Sequence, residues 1–194
     1  MKNIIGILIA AVVVTATMLS VSSCGTKKNP DEVAASSAEG KAIVCYFSAT
    51  GTTAEAARRI AEIANADIYE IVPAEKYTAA DLDWTDSLSR SSVEMRNRSY
   101  RPALRDSVTD LSAYSVVFIG YPNWWNTHPT VINTFIEANN LQGKTIVPFM
   151  TSGGSNITNS EKELKEQYPA LTFSKGLLMN SKTDDEIRTW LGDL

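Results

Sequence analysis

Beyond residue 40, three stretches of the chain are apolar without an intervening charge. They cover residues 42–47, 115–119 and 145–150. Continuous runs of this length, rich in β-branched and aromatic residues, are typical of strands that are covered on both faces of a parallel sheet. Two stretches of mixed polarity, 67–72 and 171–179, fit strands at the two edges of that sheet. Pro148 is unusual within a strand, because proline cannot donate a ladder hydrogen bond and prefers edges or bulges.

Segments with helical periodicity alternate with these strands. The first has an apolar stripe formed by Ala54, Ala57, Ile60, Ala61 and Ala64. Its charged residues fall on the opposite face, where Glu55 and Arg59 have the spacing of an ion pair across one turn. This pattern predicts an amphipathic helix directly after the first strand.

Three later helix starts are also marked in the sequence. Pro129 has the position of a first helical residue. Thr158 with Glu161, and Thr183 with Glu186, match the capping box at a helix start. Strands and helices therefore alternate, which predicts an α/β fold with a doubly wound, five-stranded parallel sheet and helices on both faces. The long segment 73–112 is expected to contain a crossover helix and a functional loop.

Composition excludes several classes of function. The chain has 194 residues with a net charge of −4, which argues against a nucleic-acid partner. One histidine and two cysteines are too few for an ordinary zinc site, and no Cys-x-x-Cys pair exists. We therefore expect no metal site and no thioredoxin-like chemistry.

The N-terminal segment differs from the rest of the chain. Lys2 is followed by an apolar stretch and by small residues before Cys24, which is typical of a secretory signal. Small residues ahead of a cysteine resemble the bacterial lipoprotein signal, which implies lipidation at Cys24. We expect residues 1–23 to be a signal peptide, 24–40 a lipidated cysteine and flexible tether, and 41–194 the folded domain. The alternative is an uncleaved membrane anchor with a free thiol.

This reading implies an exported protein that is lipid-anchored to a bacterial membrane. The anchor would face the periplasm or lie in the outer membrane. Gly25, rather than Asp, follows the cysteine, which resembles lipoproteins sorted to an outer membrane.

A loop rich in hydroxyl groups joins the first strand to the first helix. Its residues are Ser48, Ala49, Thr50, Gly51, Thr52 and Thr53. Backbone N–H groups and the dipole at a helix start favour an anion there. The loop has no Lys or Arg and matches neither GxxxxGK[ST] nor GxGxxG, so the pattern indicates a single phosphate held by neutral donors. A simple Ser/Thr-rich helix cap is the alternative.

The strand followed by S-x-T-G-x-T resembles the phosphate loop of the flavodoxin family, and the similarity extends from about Lys41 to the C-terminus. Four further segments of the subgroup it most resembles stand in order. They are 77–84, 89–95, 121–125 and 151–155. The family usually has Asn where this chain has Thr52. The resemblance implies a flavodoxin-like sheet of order 2-1-3-4-5 that binds FMN noncovalently, with its phosphate held by Ser48, Thr50, Gly51, Thr52 and Thr53.

Two further loops are expected to hold the flavin ring at the carboxyl ends of the strands. The first contributes Pro122, Asn123, Trp124, Trp125 and Asn126, and the second contributes Ser152, Gly153, Gly154 and Ser155. Adjacent tryptophans suit stacking on an isoalloxazine ring, and we expect one of them to pack under the following helix instead. Paired glycines permit close backbone approach to the ring, although a flexible turn would also use them.

Three other features have open interpretations. His128 lacks a G-x-S-x-G partner motif, so it is expected to be a cap or a loop contact, or to lie near the flavin. The arginines between Ser89 and Arg105 could form a docking face for an anionic partner or for a cofactor phosphate, or they could belong to a solvated loop. Cys45 is expected to be a small buried hydrophobe.

The preferred function is an electron carrier in which FMN performs the redox chemistry and no side chain is catalytic. Its partner would be a redox protein or a small electron acceptor. One alternative is an FMN-dependent NAD(P)H:quinone-type oxidoreductase. The other is a flavin-free ligand-binding module on the same fold.

Overall fold

The computed structural model describes residues 40–106 and 110–194. The strands are β1 (Lys41–Tyr46), β2 (Asp67–Glu70), β3 (Tyr114–Pro122), β4 (Thr145–Thr151), β5 (Thr172–Phe173) and β6 (Leu177–Leu178). The helices are α1 (Thr52–Ala64), α2 (Arg90–Arg96), α3 (Thr130–Ala138), α4 (Thr158–Gln167) and α5 (Asp184–Gly192). The predicted signal peptide, Cys24 and nearly all of the predicted tether lie outside the described residues.

The sheet is parallel throughout and has the order β2-β1-β3-β4-β5, which confirms the predicted fold. Successive residues of β1 point to opposite faces. Ile43 belongs to the core cluster that includes Val131 of α3. Val44 belongs to the cluster that includes Ala57 of α1 and Ile187 of α5. Both faces are thus covered, which explains why the central strands are apolar without alternation.

The fifth strand of the sheet is divided in two. Both β5 and β6 pair with β4, at Thr145–Ile146 and at Phe149–Met150. Pro148 lies opposite the interruption. The carbonyl groups two positions before and two positions after Pro148 accept hydrogen bonds from the edge strand. The Pro148 nitrogen has no hydrogen to donate to that strand. The proline predicted to disturb the ladder therefore sits inside β4, and the edge strand leaves the sheet beside it.

Several predicted local interactions differ in the structure. Helix α3 begins at Thr130, so Pro129 precedes its first residue. No capping box forms at α4, because Ile157 occupies the N-cap and Glu161 Oε1 accepts a hydrogen bond from the N–H of Gly176.

Of the other two local predictions, the capping box at α5 is confirmed and the ion pair within α1 is wrong. The capping box of Thr183 and Glu186 at α5 is present. Arg59 bonds Asp184 at 2.5 Å and the carbonyl of Lys182 at 2.8 Å, rather than pairing with Glu55. An interhelical partner on α5 has replaced the predicted partner one turn away.

The long segment between β2 and β3 contains the predicted crossover helix, α2. No helix within residues 40–106 and 110–194 has the length and apolar character needed to cross a bilayer.

Candidate functional site

A cleft of about 460 Å³ opens beyond the carboxyl ends of the central strands, where the strand order reverses between β1 and β3. Eight of the predicted site residues line it: Thr50, Pro122, Asn123, Trp124, Trp125, Gly153, Gly154 and Ser155. Ala49, Leu82, Trp84 and Ser91 complete the lining. The other predicted residues, Ser48, Gly51, Thr52, Thr53, Asn126 and Ser152, lie in the same three loops but not on the cleft surface.

The loop after β1 leaves the start of α1 free of side-chain caps. The N–H of Gly51 donates to Ser48 Oγ at 3.1 Å, and no side chain of the described residues caps the helix. The first N–H groups of a helix have no acceptor within the helix. Gly51 has a φ of 95°, a conformation that favours glycine. These features suit an anion at the helix start.

Thr53 differs from its neighbours in this loop because it is buried. Its hydroxyl shares a 2.7 Å hydrogen bond with the hydroxyl of Thr151 at the end of β4. This bond connects the loop after β1 to the strand that leads into the loop after β4.

The loop after β3 is a tight turn that displays two tryptophans differently. Backbone hydrogen bonds in both directions join Trp124 and Thr127. Between them, Trp125 and Asn126 have positive φ values of 47° and 64°. The Trp124 ring meets the rings of Phe47 and Tyr77 edge-on, at centroid distances of 5.6 and 5.2 Å. Trp124 therefore packs against aromatic residues that follow β1 and β2, whereas Trp125 is 48% exposed.

The loop after β4 is fixed by hydrogen bonds within the loop and by hydrogen bonds to a residue outside it. Ser152 Oγ accepts hydrogen bonds from the N–H groups of Gly154 and Ser155, at 3.1 and 2.8 Å. The Asn180 side chain bonds both the N–H and the carbonyl of Ser152. Asn180 is a supporting residue that sequence reasoning missed.

Besides the loops after β1, β3 and β4, the long segment after β2 forms a fourth wall of the cleft. Leu82, Trp84 and Ser91 contribute to it, and Trp84 is 76% exposed. These residues were missed as site residues, although the segments 77–84 and 89–95 carried much of the family resemblance. That resemblance was the signal that could have found them.

The same segment also contains a largely buried charged cluster. Glu94 is 3% exposed and bonds Arg90 Nε at 2.7 Å and the Tyr77 hydroxyl. The Arg90 guanidinium also lies 4.1 Å from the centre of the Tyr77 ring. Burial, followed by the hydrogen bond to Glu94, raises the pKa of Tyr77. Because Tyr77 contacts Trp124, which lines the cleft, this cluster is connected to the cleft through Tyr77.

His128 is fully buried and is not part of the cleft lining. Arg98 can only donate, so its 3.2 Å contact makes His128 Nε2 the acceptor and assigns the hydrogen to Nδ1. Nδ1 lies 3.1 Å from Ser160 Oγ, which donates to the Tyr121 hydroxyl. Burial first, and the Arg98 charge second, lower the pKa of His128 to about 3. The ring is thus a neutral member of a buried network.

The arginines between Ser89 and Arg105 are mostly engaged within the chain. Arg90, Arg98, Arg101 and Arg105 pair with Glu94, Glu163, Glu137 and Asp106 respectively. Such pairs neutralise much of the charge that a docking face would need. Cys45 is fully buried, as predicted, and burial raises the pKa of its thiol.

The cleft has the properties that a flat, polar-edged ligand requires. Ser91 Oγ and Asn123 Oδ1 are buried and have no hydrogen-bond partner within the described chain. A Cβ built on Gly51, Gly153 or Gly154 would meet no atom within 4 Å, so the space beside all three glycines is open. Exposed indole rings provide stacking surfaces. These features fit FMN, with its phosphate at the start of α1.

Sequence comparison assigns the family. A model of the flavodoxin family matches residues 41–194. The chain belongs to the flavodoxin family. No curated protein sequence matches this flavodoxin.

Solved structures agree with this assignment. A Bacteroides uniformis protein provisionally described as a flavoprotein is 52% identical, with a TM-score of 0.77, and the match covers 79% of this chain and 98% of that one. A Bacteroides eggerthii protein with the same description is 51% identical, with a TM-score of 0.78 and coverage of 80% and 98%. A Lactobacillus acidophilus flavoprotein in complex with FMN shares the fold at 21% identity, with a TM-score of 0.61 and coverage of 78% and 99%.

Proposed function

We propose that this flavodoxin binds FMN noncovalently and transfers electrons. The observation that carries the proposal is the cleft at the reversal point. It has exposed indole rings and buried polar atoms without partners, and Thr50 in its lining directly precedes Gly51, the N-cap of the uncapped helix α1. The FMN-bound Lactobacillus acidophilus protein has the same fold.

Different residues of this chain would bind the phosphate and the ring of FMN. The backbone at the start of α1 would hold the phosphate, together with the hydroxyl of Thr50 in the cleft lining and that of the exposed Thr52 two residues further on. Trp125 and Trp84 would cover the ring, and the loop after β4 would meet its polar edge. When bound, FMN supplies the redox chemistry. The protein's negative charge would disfavour a reduced, anionic flavin and so lower its potential.

The test is the absorption spectrum of the purified protein before and after incubation with FMN and gel filtration. We expect a retained flavin spectrum in the wild type and a reduced one in Gly51→Ala. Gly143→Ala is the matched control, because Gly143 also has a positive φ, of 74°, and open space around it. It precedes β4 and therefore lies at the amino-end edge of the sheet, away from the cleft. Both substitutions strain the backbone, but only the first should release FMN.

Two other outcomes would favour a different function. A retained flavin that supports steady-state NAD(P)H oxidation with a quinone would make the protein an oxidoreductase. Failure of the wild type to retain FMN would favour a binding module that uses the same fold without flavin.

We also propose that the chain is exported and anchored to a bacterial membrane through lipid at Cys24. The support is the sequence pattern around Lys2 and Cys24. Metabolic labelling with a fatty acid, followed by membrane fractionation, tests it. Wild type should be labelled and sediment with membranes, whereas Cys24→Ser should be unlabelled. An unlabelled wild type would contradict the proposal.

A further inference from the structure

Three serines stand close together at the start of α2, and the structure gives them different roles. Ser89 is the N-cap, and its Oγ accepts a hydrogen bond from the N–H of Ser92 at 3.3 Å. Ser89 Oγ also donates to Ser92 Oγ at 2.9 Å. These two hydroxyls make hydrogen bonds with each other and with the backbone of the first helical turn. Their role is complete without any ligand.

Ser91 lies between them in sequence and has no such use. It is 1% exposed, and its Oγ has no hydrogen-bond partner in the described chain. Its backbone N–H donates to the carbonyl of Asp81 at 2.9 Å, which fixes the residue in the cleft wall. A buried hydroxyl without a partner costs free energy. The residue also lines the cleft, so a ligand there could supply the missing partner.

The other residues from the same side of the cleft indicate which part of a ligand Ser91 meets. Leu82 and Trp84 line the cleft from the same segment, and Trp125 lines it from the loop after β3. These side chains are apolar and aromatic, which suits a ring system. The phosphate-binding features lie instead at the start of α1. We expect a hydroxyl in the wall that also contains Leu82 and Trp84 to orient a ring rather than to bind a charge.

We infer that the Ser91 hydroxyl hydrogen-bonds the isoalloxazine ring. This inference rests on the proposed binding of FMN. The ring edge presents carbonyl oxygens and unprotonated nitrogens, to which a serine hydroxyl can donate. The bond orients the ring in the cleft, and it satisfies a polar group that is otherwise unpaired.

The experiment compares Ser91→Ala with wild type in the purified full-length chain. Dissociation constants are measured by flavin fluorescence for FMN and for lumiflavin, which has the ring without the ribityl phosphate. We expect Ser91→Ala to weaken both ligands by a similar factor, about threefold to tenfold. Thermal unfolding of the flavin-free variant should be unchanged or higher, because an unpaired buried hydroxyl has been removed.

Ser92→Ala is the matched control, since it removes the neighbouring hydroxyl that pairs with Ser89. It should lower the unfolding temperature and leave both dissociation constants unchanged. Unchanged affinities in Ser91→Ala would overturn the inference, as would a loss confined to FMN, which would assign the hydroxyl to the ribityl phosphate. A wild type that binds neither flavin would overturn the proposed function and this inference with it.

Discussion

The hydroxyls of Thr53 and Thr151 share a buried hydrogen bond of 2.7 Å across 98 positions of sequence. Thr53 stands at the start of α1 and Thr151 at the end of β4. The bond therefore holds two of the cleft's three loops in a fixed relation. Because the Thr53 side chain is buried, we expect that residue to offer a phosphate its backbone N–H rather than its hydroxyl.

Thr53→Val should lower the free energy of unfolding by about 1–2 kcal/mol, because it leaves the Thr151 hydroxyl buried without a partner. Chemical denaturation of the flavin-free protein measures this change. Thr52→Val is the control, since Thr52 is exposed and its substitution should change the unfolding free energy by less than about 0.5 kcal/mol. The double variant Thr53→Val with Thr151→Val should lose less than the sum of the two single variants. Additive losses would show that the hydroxyls are not coupled.

Trp125 occupies a backbone conformation that its side chain disfavours. Its φ of 47° lies in a tight turn that Asn or Gly fills at low cost. A bulky residue held there costs on the order of 1–3 kcal/mol, and such strain is often found at ligand sites. Trp125→Asn should therefore raise the free energy of unfolding of the flavin-free protein by about 1 kcal/mol, while FMN binding weakens about tenfold.

Denaturation and flavin titration of the same samples check this pair of effects. Trp84→Asn is the comparison, because Trp84 lines the cleft and is largely exposed but is not among the described residues with positive φ. It should weaken FMN binding without a gain in stability. A loss of stability in Trp125→Asn would mean that the contacts of the indole outweigh its strain.

The elements that could be predicted are those whose signal is local. β1, β3 and β4 are buried on both faces, so their apolar runs identify them directly. The division of the edge strand could not be predicted, because Pro148 acts on a neighbouring strand. Likewise, the capping motif of Thr158 and Glu161 is overridden by a tertiary hydrogen bond to Gly176.

The same distinction applies to the cleft. The loops after β1, β3 and β4 follow apolar strands closely, so their residues could be assigned to the site from sequence. The wall containing Trp84 and Ser91 comes from a long segment without a periodic pattern. Whether a serine hydroxyl there finds a partner depends on packing, and the sequence alone does not contain that information.

The cluster of Arg90, Glu94 and Tyr77 is predicted to be essential for stability. In the wild type, Arg90 and Glu94 form an ion pair at 2.7 Å. Arg90→Met would remove the cation and leave the buried Glu94 carboxylate without it. Removing one partner of a buried ion pair costs about 3–5 kcal/mol, and Arg90 is partly exposed, so we expect the lower end of that range. Denaturation measures the loss. Arg105→Met is the control, because its pair with Asp106 is exposed and should contribute less than about 1 kcal/mol.

His128 predicts a specific dependence of stability on pH. Its pKa is about 3 in the folded protein, because of burial and then the Arg98 charge, against about 6.5 in an unfolded chain. Between these values the unfolded state binds a proton that the folded state does not, so the free energy of unfolding falls as pH decreases. From pH 7 to pH 5 wild type should lose about 2 kcal/mol relative to His128→Gln, a difference that removes the contribution of the carboxylates. Since the chain has one histidine, NMR of tag-free protein can follow its ring directly. The ring signals should not shift between pH 8 and pH 5, and a titration near pH 6.5 would contradict the buried, Arg98-bonded state.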